Sequence, residues 1–168
     1  MDRLELQTLH DEMRDDCRVA ADALDKALAR FERADVAGYE ACAHHLCRFY
    51  NVIEQMCLRV AKAFDNSIDD EKRWHGALLN RLAIPIAGVR PALVPSELKQ
   101  PLSELKAFRH MIVHAYELEL DPDKLRLLLK YARQVGGALH GLVENFIAVV
   151  AREQEIGKSG RQKAERQL

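Results

Sequence analysis

Arg109, His110, His114 and Tyr116 fall within one run of eight residues at the end of an apolar helical pattern. No other stretch of the chain gathers groups able to hold charge, move a proton and accept a covalent modification. A planar guanidinium suits a phosphate oxygen pair. An imidazole titrates near pH ~6.5 and suits general acid–base work. Two histidines four apart are also half of a zinc site, but position 111 is Met, so the glutamate base of HExxH is missing. An architectural reading competes with both: Arg109 pairs with an acid, and His114 caps a helix end.

Helix geometry limits what these groups can do together. At ~100° per residue, His110 and His114 point the same way, about 160° from the Leu105/Ile112 side. They therefore face solvent, a cleft or another subunit. Arg109 lies at the margin of the apolar face, with Tyr116 seven residues on in nearly the same direction. Arg109 and His114 are separated by about 140° around the helix. They converge on one small ligand only where the helix ends or bends near His114, or where two copies meet.

The elements that must hold this segment are amphipathic helices. Leu6, Leu9, Met13, Cys17, Ala20, Leu24, Leu28 and Phe31 recur every three or four residues and predict a helix over 3–33. Residues 34–38 read as a break, with Asp35 as a cap and Gly38 as a soft point. Tyr39, Ala43, Leu46, Tyr50, Ile53, Cys57, Val60 and Phe64 form a seam predicting a second helix over 39–65. A short break between two such helices makes an antiparallel hairpin. His44 and His45 on the second helix read as surface or boundary histidines. A third, short helix is expected over 70–83, with Trp74 packing in the core. Three prolines and a glycine make 84–95 irregular. The motif helix then starts near Ser96, with Pro101 either in its first turn or at a restart. Asp121-Pro122-Asp123 reads as cap, first-turn proline and acid on the dipole. The last helix should run to about 152. Gly136, Gly137 and Gly141 lie inside it and cost stability unless a neighbouring helix approaches closely. Residues 153–168, polar and mixed in charge, are expected to form a frayed or mobile tail. The fold class is all-α: an antiparallel up-and-down bundle of four long helices plus one short helix, with a single domain over 1–152.

Composition narrows the function classes. With 48% hydrophobic residues and 6% aromatics, the 168-residue chain fits one soluble globular domain with a sizeable core. Its net charge of -1 is uneven: -5 over 1–80, +3 over 81–133 and +1 over 134–168. The motif lies in the mildly basic part, well short of the strong stripe of a dedicated nucleic-acid binder. Cys17, Cys42, Cys47 and Cys57 form no CxxC pair and read as buried reduced thiols. The charged start has no signal-peptide core, and no apolar run approaches the ~20 residues of a membrane span. A cytoplasmic protein with no membrane association is expected. The chain has no P-loop, GxGxxG or internal repeat.

Arg109-His110-x3-His114-x-Tyr116 resembles the RX4HXY motif of HepT-like toxins, helical-bundle proteins of the HEPN superfamily. That superfamily's signature is Arg, then Asn, Asp or His, then His four to six residues after the Arg, and His110 fits the variable polar position. Phe49-Tyr50 with Glu54, Trp74-His75 with Leu78-Leu79, Arg90-Pro91 and Leu120-Asp121-Pro122 extend the similarity over roughly residues 1–150. The resemblance implies a metal-independent, cofactor-free ribonuclease, dimeric, with two motifs facing each other across the interface. The implied reaction is transesterification of RNA: the 2′-hydroxyl attacks the adjacent phosphate, His114 assists proton transfer, Arg109 stabilises the developing charge, and a 2′,3′-cyclic phosphate results. His110 and Tyr116 are implied as supporting residues. The implied partner is a nucleotidyltransferase antitoxin able to attach AMP to Tyr116, bringing negative charge beside Arg109. The alternative is a non-catalytic dimeric module of the same fold that binds a nucleotide or a protein partner.

Overall fold

The computed structural model describes the backbone of residues 1–65, 71–115 and 119–165, and their side chains except those of 71–76 and 156–165. Its helices are α1 (Arg3–Phe31), α2 (Val36–Phe64), α3 (Glu71–Leu82), α4 (Lys99–His114) and α5 (Pro122–Glu165). The predicted class holds: an all-α bundle of four long helices and one short one. Among the described residues the one sheet-type pairing is a single bridge between Ile86 and Arg90. The expected core role of Trp74 falls on a side chain outside the described residues.

Local chemistry sets the helix ends. At the start of α1, Asp2 accepts from the Glu5 amide at 2.8 Å while the Glu5 side chain accepts from the Asp2 amide at 2.7 Å, a reciprocal capping box. The α1–α2 turn passes through Ala34 at φ 52°. Asp35 then caps α2 by accepting from the Gly38 amide at 2.6 Å. The break is thus tighter than predicted, and Gly38 lies inside the first turn of α2. A Cβ there would stand 2.7 Å from the Arg30 carbonyl oxygen, so glycine permits the close return of the chain. A single 3₁₀ turn at Ser96–Leu98 leads into α4, and Pro101 is buried in the first turn of that helix. A missing N–H costs nothing there, because first-turn donors have no intrahelical acceptor. Asp121 caps α5 by accepting from the Asp123 amide at 2.8 Å.

Cross-links fix the directions. Arg59, late in α2, reaches Asp16 at 3.0 Å and Glu12 at 3.1 Å early in α1, so the two helices run antiparallel. His10 of α1 meets Glu144 of α5 at 3.0 Å, while the Arg126 guanidinium lies over the Phe31 ring, an antiparallel pairing again. Phe49, Tyr50, Met56 and Phe146 are buried between the helices. Each such side chain contributes about 1.5–3 kcal/mol over its exposed state. Close helix approach explains one of the three glycines at 136, 137 and 141 in α5. A Cβ on Gly136 would stand 3.0 Å from Leu24 Cδ2 and 3.6 Å from the Phe49 ring, whereas Gly137 and Gly141 have nothing within 4 Å.

Two expectations change. The helix predicted to end near 152 continues to Glu165. The polar residues there lack a core-facing stripe, but no proline stops the hydrogen-bond ladder and α-helix remains open to them. The stretch Pro122–Glu155 is also long and apolar enough to cross a membrane by length and composition. It exceeds the predicted apolar runs because its apolar stripe is interrupted by isolated charges rather than by blocks of them. In the bundle that stripe is used as core: Leu125, Leu128, Ala132, Val135, Leu139, Val143 and Phe146 are buried.

Candidate functional site

The motif occupies the last two turns of α4. Leu102, Leu105 and Phe108 are buried and anchor this helix, while Arg109 is half-buried and His110 and His114 are exposed. The helix runs straight to His114, and the Ala115 amide closes it on the Met111 carbonyl at 2.9 Å. Tyr116 lies outside the described residues.

The two histidines stack on each other, with ring centroids 4.4 Å apart and planes tilted by 55°. Four-residue spacing on one face produces this pairing. Among the described residues no third His, Cys, Asp or Glu joins them in a metal-holding group.

Arg109 lies on a different stripe. It shares its face with Val113, one turn on, and its guanidinium looks towards α2. Burial pushes the Cys47 thiol up to about 11, and the positive charge of Arg109 partly opposes that rise. Burial also raises the Tyr50 hydroxyl, helped by the Glu54 carboxylate and opposed by Arg109. The Arg109 charge is therefore close enough to the Cys47–Tyr50 segment of α2 to act on both groups. Its Nε is buried and has no hydrogen-bond partner. A buried N–H without an acceptor costs about 1–3 kcal/mol. The architectural reading, in which an acid of this chain pairs with Arg109, has no such ion pair among the described residues.

Beside this edge an open groove of about 510 Å³ runs between α2 and the end of α4. His44, Arg48 and Asn51 line one wall, and Ile112, Val113 and Leu120 the other. Sequence reasoning passed over Arg48 and Asn51. The signal was present: positions 44, 48 and 51 form a polar stripe of four-and-three spacing next to the α2 seam. His44 and His45 were read as surface or boundary residues. His44 is exposed, and His45 is half-buried with its Nδ1 buried and unpartnered. Burial, with the charges of His44, Lys26, Arg30 and Arg48 nearby, lowers the His45 pKa.

A model of HepT-like proteins matches residues 41–150, from early α2 to the middle of α5 and with the whole motif inside it. The chain belongs to the HepT-like family. No curated protein and no solved structure gives a significant match. The HepT-like stretch contains both walls of the groove and the Arg109 stripe, while all of α1 lies outside it. Membership agrees with the all-helical bundle.

The site also exposes a second, purely structural use of arginine. The side chain of Arg90 is 0% exposed and that of Asp65 1%, with Nε to Oδ1 at 3.3 Å. Arg90 donates further to the carbonyls of Ile84 at 3.1 Å and Arg81 at 3.3 Å. Arg81 closes the corner by donating to the other Asp65 oxygen at 2.9 Å. This clip ties the irregular 84–95 stretch to the end of α2. The sequence marked Arg90-Pro91 only through resemblance, because no local pattern pairs residues so far apart.

Proposed function

We propose that this HepT-like protein is a metal-independent ribonuclease, the toxin of a toxin–antitoxin pair. The observation that carries the reading is the half-buried Arg109 guanidinium, which pairs with no acid among the described residues, on the same helix end as an exposed, closely packed histidine pair. A phosphate is the acceptor that such a donor matches. His114, at the open end of the helix, is accessible to an RNA 2′-hydroxyl as a proton acceptor. The 2′-oxygen then attacks the adjacent phosphorus, the 5′-oxygen of the next nucleotide leaves with a proton, and a 2′,3′-cyclic phosphate remains. Arg109 stabilises the charge that develops on the non-bridging oxygens.

Arg109 and His114 lie on different stripes of α4, and in this reading a second copy completes the site. A symmetric homodimer that apposes the two α4 ends achieves this. The protein partner in this reading is a nucleotidyltransferase antitoxin. Transfer of AMP to Tyr116 would add negative charge and bulk beside Arg109 and block the phosphate site.

The test uses purified protein and single-stranded RNA. Wild type should cleave in EDTA and leave cyclic phosphate ends, and His114→Ala should not. Intact RNA with wild-type protein at micromolar concentration would refute the enzyme and favour the nucleotide- or partner-binding module.

A further inference from the structure

The groove between α2 and the end of α4 is not needed for the acid–base step, yet it is built beside it. Val113 is 61% exposed on the motif helix, an apolar side chain amid polar neighbours. With Ile112 and Leu120 it forms an apolar wall. The facing α2 wall is polar: Arg48 carries a fixed charge, and Asn51 offers both an amide donor and an acceptor. The volume of about 510 Å³ falls within the range of roughly 300–1,000 Å³ typical of small-ligand clefts. Cys47 lines the groove and also feels the charge of Arg109, which puts the positive field of the motif arginine on one side of it.

A positive potential lies nearby: Lys26 and Arg30 of α1 and Arg48 of α2 each help to lower the His45 pKa. Two acids temper it. Asp22 is paired with Lys26 at 2.8 Å, and Glu40 lies in the groove lining itself. The result is an apolar slot with one carboxylate, one amide and a guanidinium at its edge. Flat bases of single-stranded RNA are recognised by this combination of apolar contact, hydrogen bonding on the base edge and a cation on the phosphate.

We propose that this groove is a nucleotide subsite that seats one base of single-stranded RNA next to the scissile phosphate. Ile112 and Val113 pack on the base, Asn51 and Glu40 meet its edge, and Arg48 holds the adjoining phosphate. The inference rests on the ribonuclease reading for the position of the scissile bond, but the binding itself does not depend on cleavage.

The experiment separates the two. Full-length protein carrying His114→Ala is titrated with fluorescent oligo-A, oligo-C and oligo-U, with Arg48→Ala, Val113→Glu or the distant Arg18→Ala added. Sedimentation of each variant is run in parallel. Arg48→Ala should weaken binding of all three by roughly tenfold and reduce the slope of log affinity against log salt by about one phosphate contact. Val113→Glu should weaken binding and also compress the differences between oligo-A, oligo-C and oligo-U. Arg18→Ala should change neither. Binding unaffected by Arg48→Ala and Val113→Glu overturns the subsite. So does a Val113→Glu protein that loses self-association while binding RNA normally, because a second copy would then occupy the groove. RNA binding that depends on Arg48, in a wild-type protein that never cleaves, would remove the enzyme and leave the subsite.

Discussion

Arg90 and Arg109 share a chemistry and occupy opposite environments. Arg90 is fully enclosed, with the Asp65 carboxylate and backbone carbonyls as acceptors. Arg109 is half-buried near the exposed end of α4, and its buried Nε has no acceptor among the described residues. An arginine whose donors are consumed internally is a fastener. One that is half-exposed and not committed to an acid keeps a charge that an anion can use. The difference decides which substitutions should unfold the protein and which should silence it.

The largest effect expected is on activity. Arg109→Ala and His114→Ala should each lower RNA cleavage by about 10²–10⁴-fold, as losses of a charge-stabilising cation and a general base do. Both proteins should stay folded, and the melting curve of His114→Ala should stay within about 0.5 kcal/mol of wild type, since that side chain is exposed. An Arg109→Ala protein that unfolds would erase the contrast with Arg90.

The converse test falls on the clip. Asp65→Ala strands a buried guanidinium and should cost about 3–5 kcal/mol in denaturant unfolding. Arg81→Ala removes the arm of the same corner whose side chain is 43% exposed, and should cost under about 1 kcal/mol. Equal costs would mean that the fully enclosed pair is not what fastens the loop.

A third prediction uses pH. Burial raises Cys42 and Cys57 from an ordinary 9.0 to about 12, and Cys47 to about 11. Above pH 9 the unfolded chain releases thiol protons that the folded chain keeps. Stability should therefore be fully present below pH 9 and decline as pH rises through about 11 to 12. Thermal melts between pH 8 and 11 check the sign. Native alkylation at pH 8 should be slow at all three of these cysteines, and rapid labelling of Cys47 would show that the groove edge opens.

The smallest effects distinguish the α5 glycines. Gly137→Ala and Gly141→Ala meet open space and should stabilise by about 0.5–1 kcal/mol. Gly136→Ala should gain less or lose, because its Cβ would press on Leu24. His110→Ala should reduce cleavage less than His114→Ala, because its place in the motif accepts several polar residues.

The helices and their inward faces were legible from the sequence. Three-and-four spacing of Leu6 to Phe31 and of Tyr39 to Phe64 is a local property, and burial of apolar stripes leaves few ways to pack them. Caps at Asp35 and Asp121 were legible for the same reason, since a cap acts within three residues. The motif residues were legible as chemistry through their types and spacing. Tertiary packing alone decided what each could reach. It brought the charge of Arg109 near Cys47 and Tyr50 of α2, consumed Arg90 on Asp65, and opened a groove beside Val113. It also spared Gly136 for a close approach that Gly137 does not share. These outcomes depend on which side chains meet across helices far apart in the chain. Periodicity reports the face a residue occupies, and only the assembled bundle determines what stands opposite it.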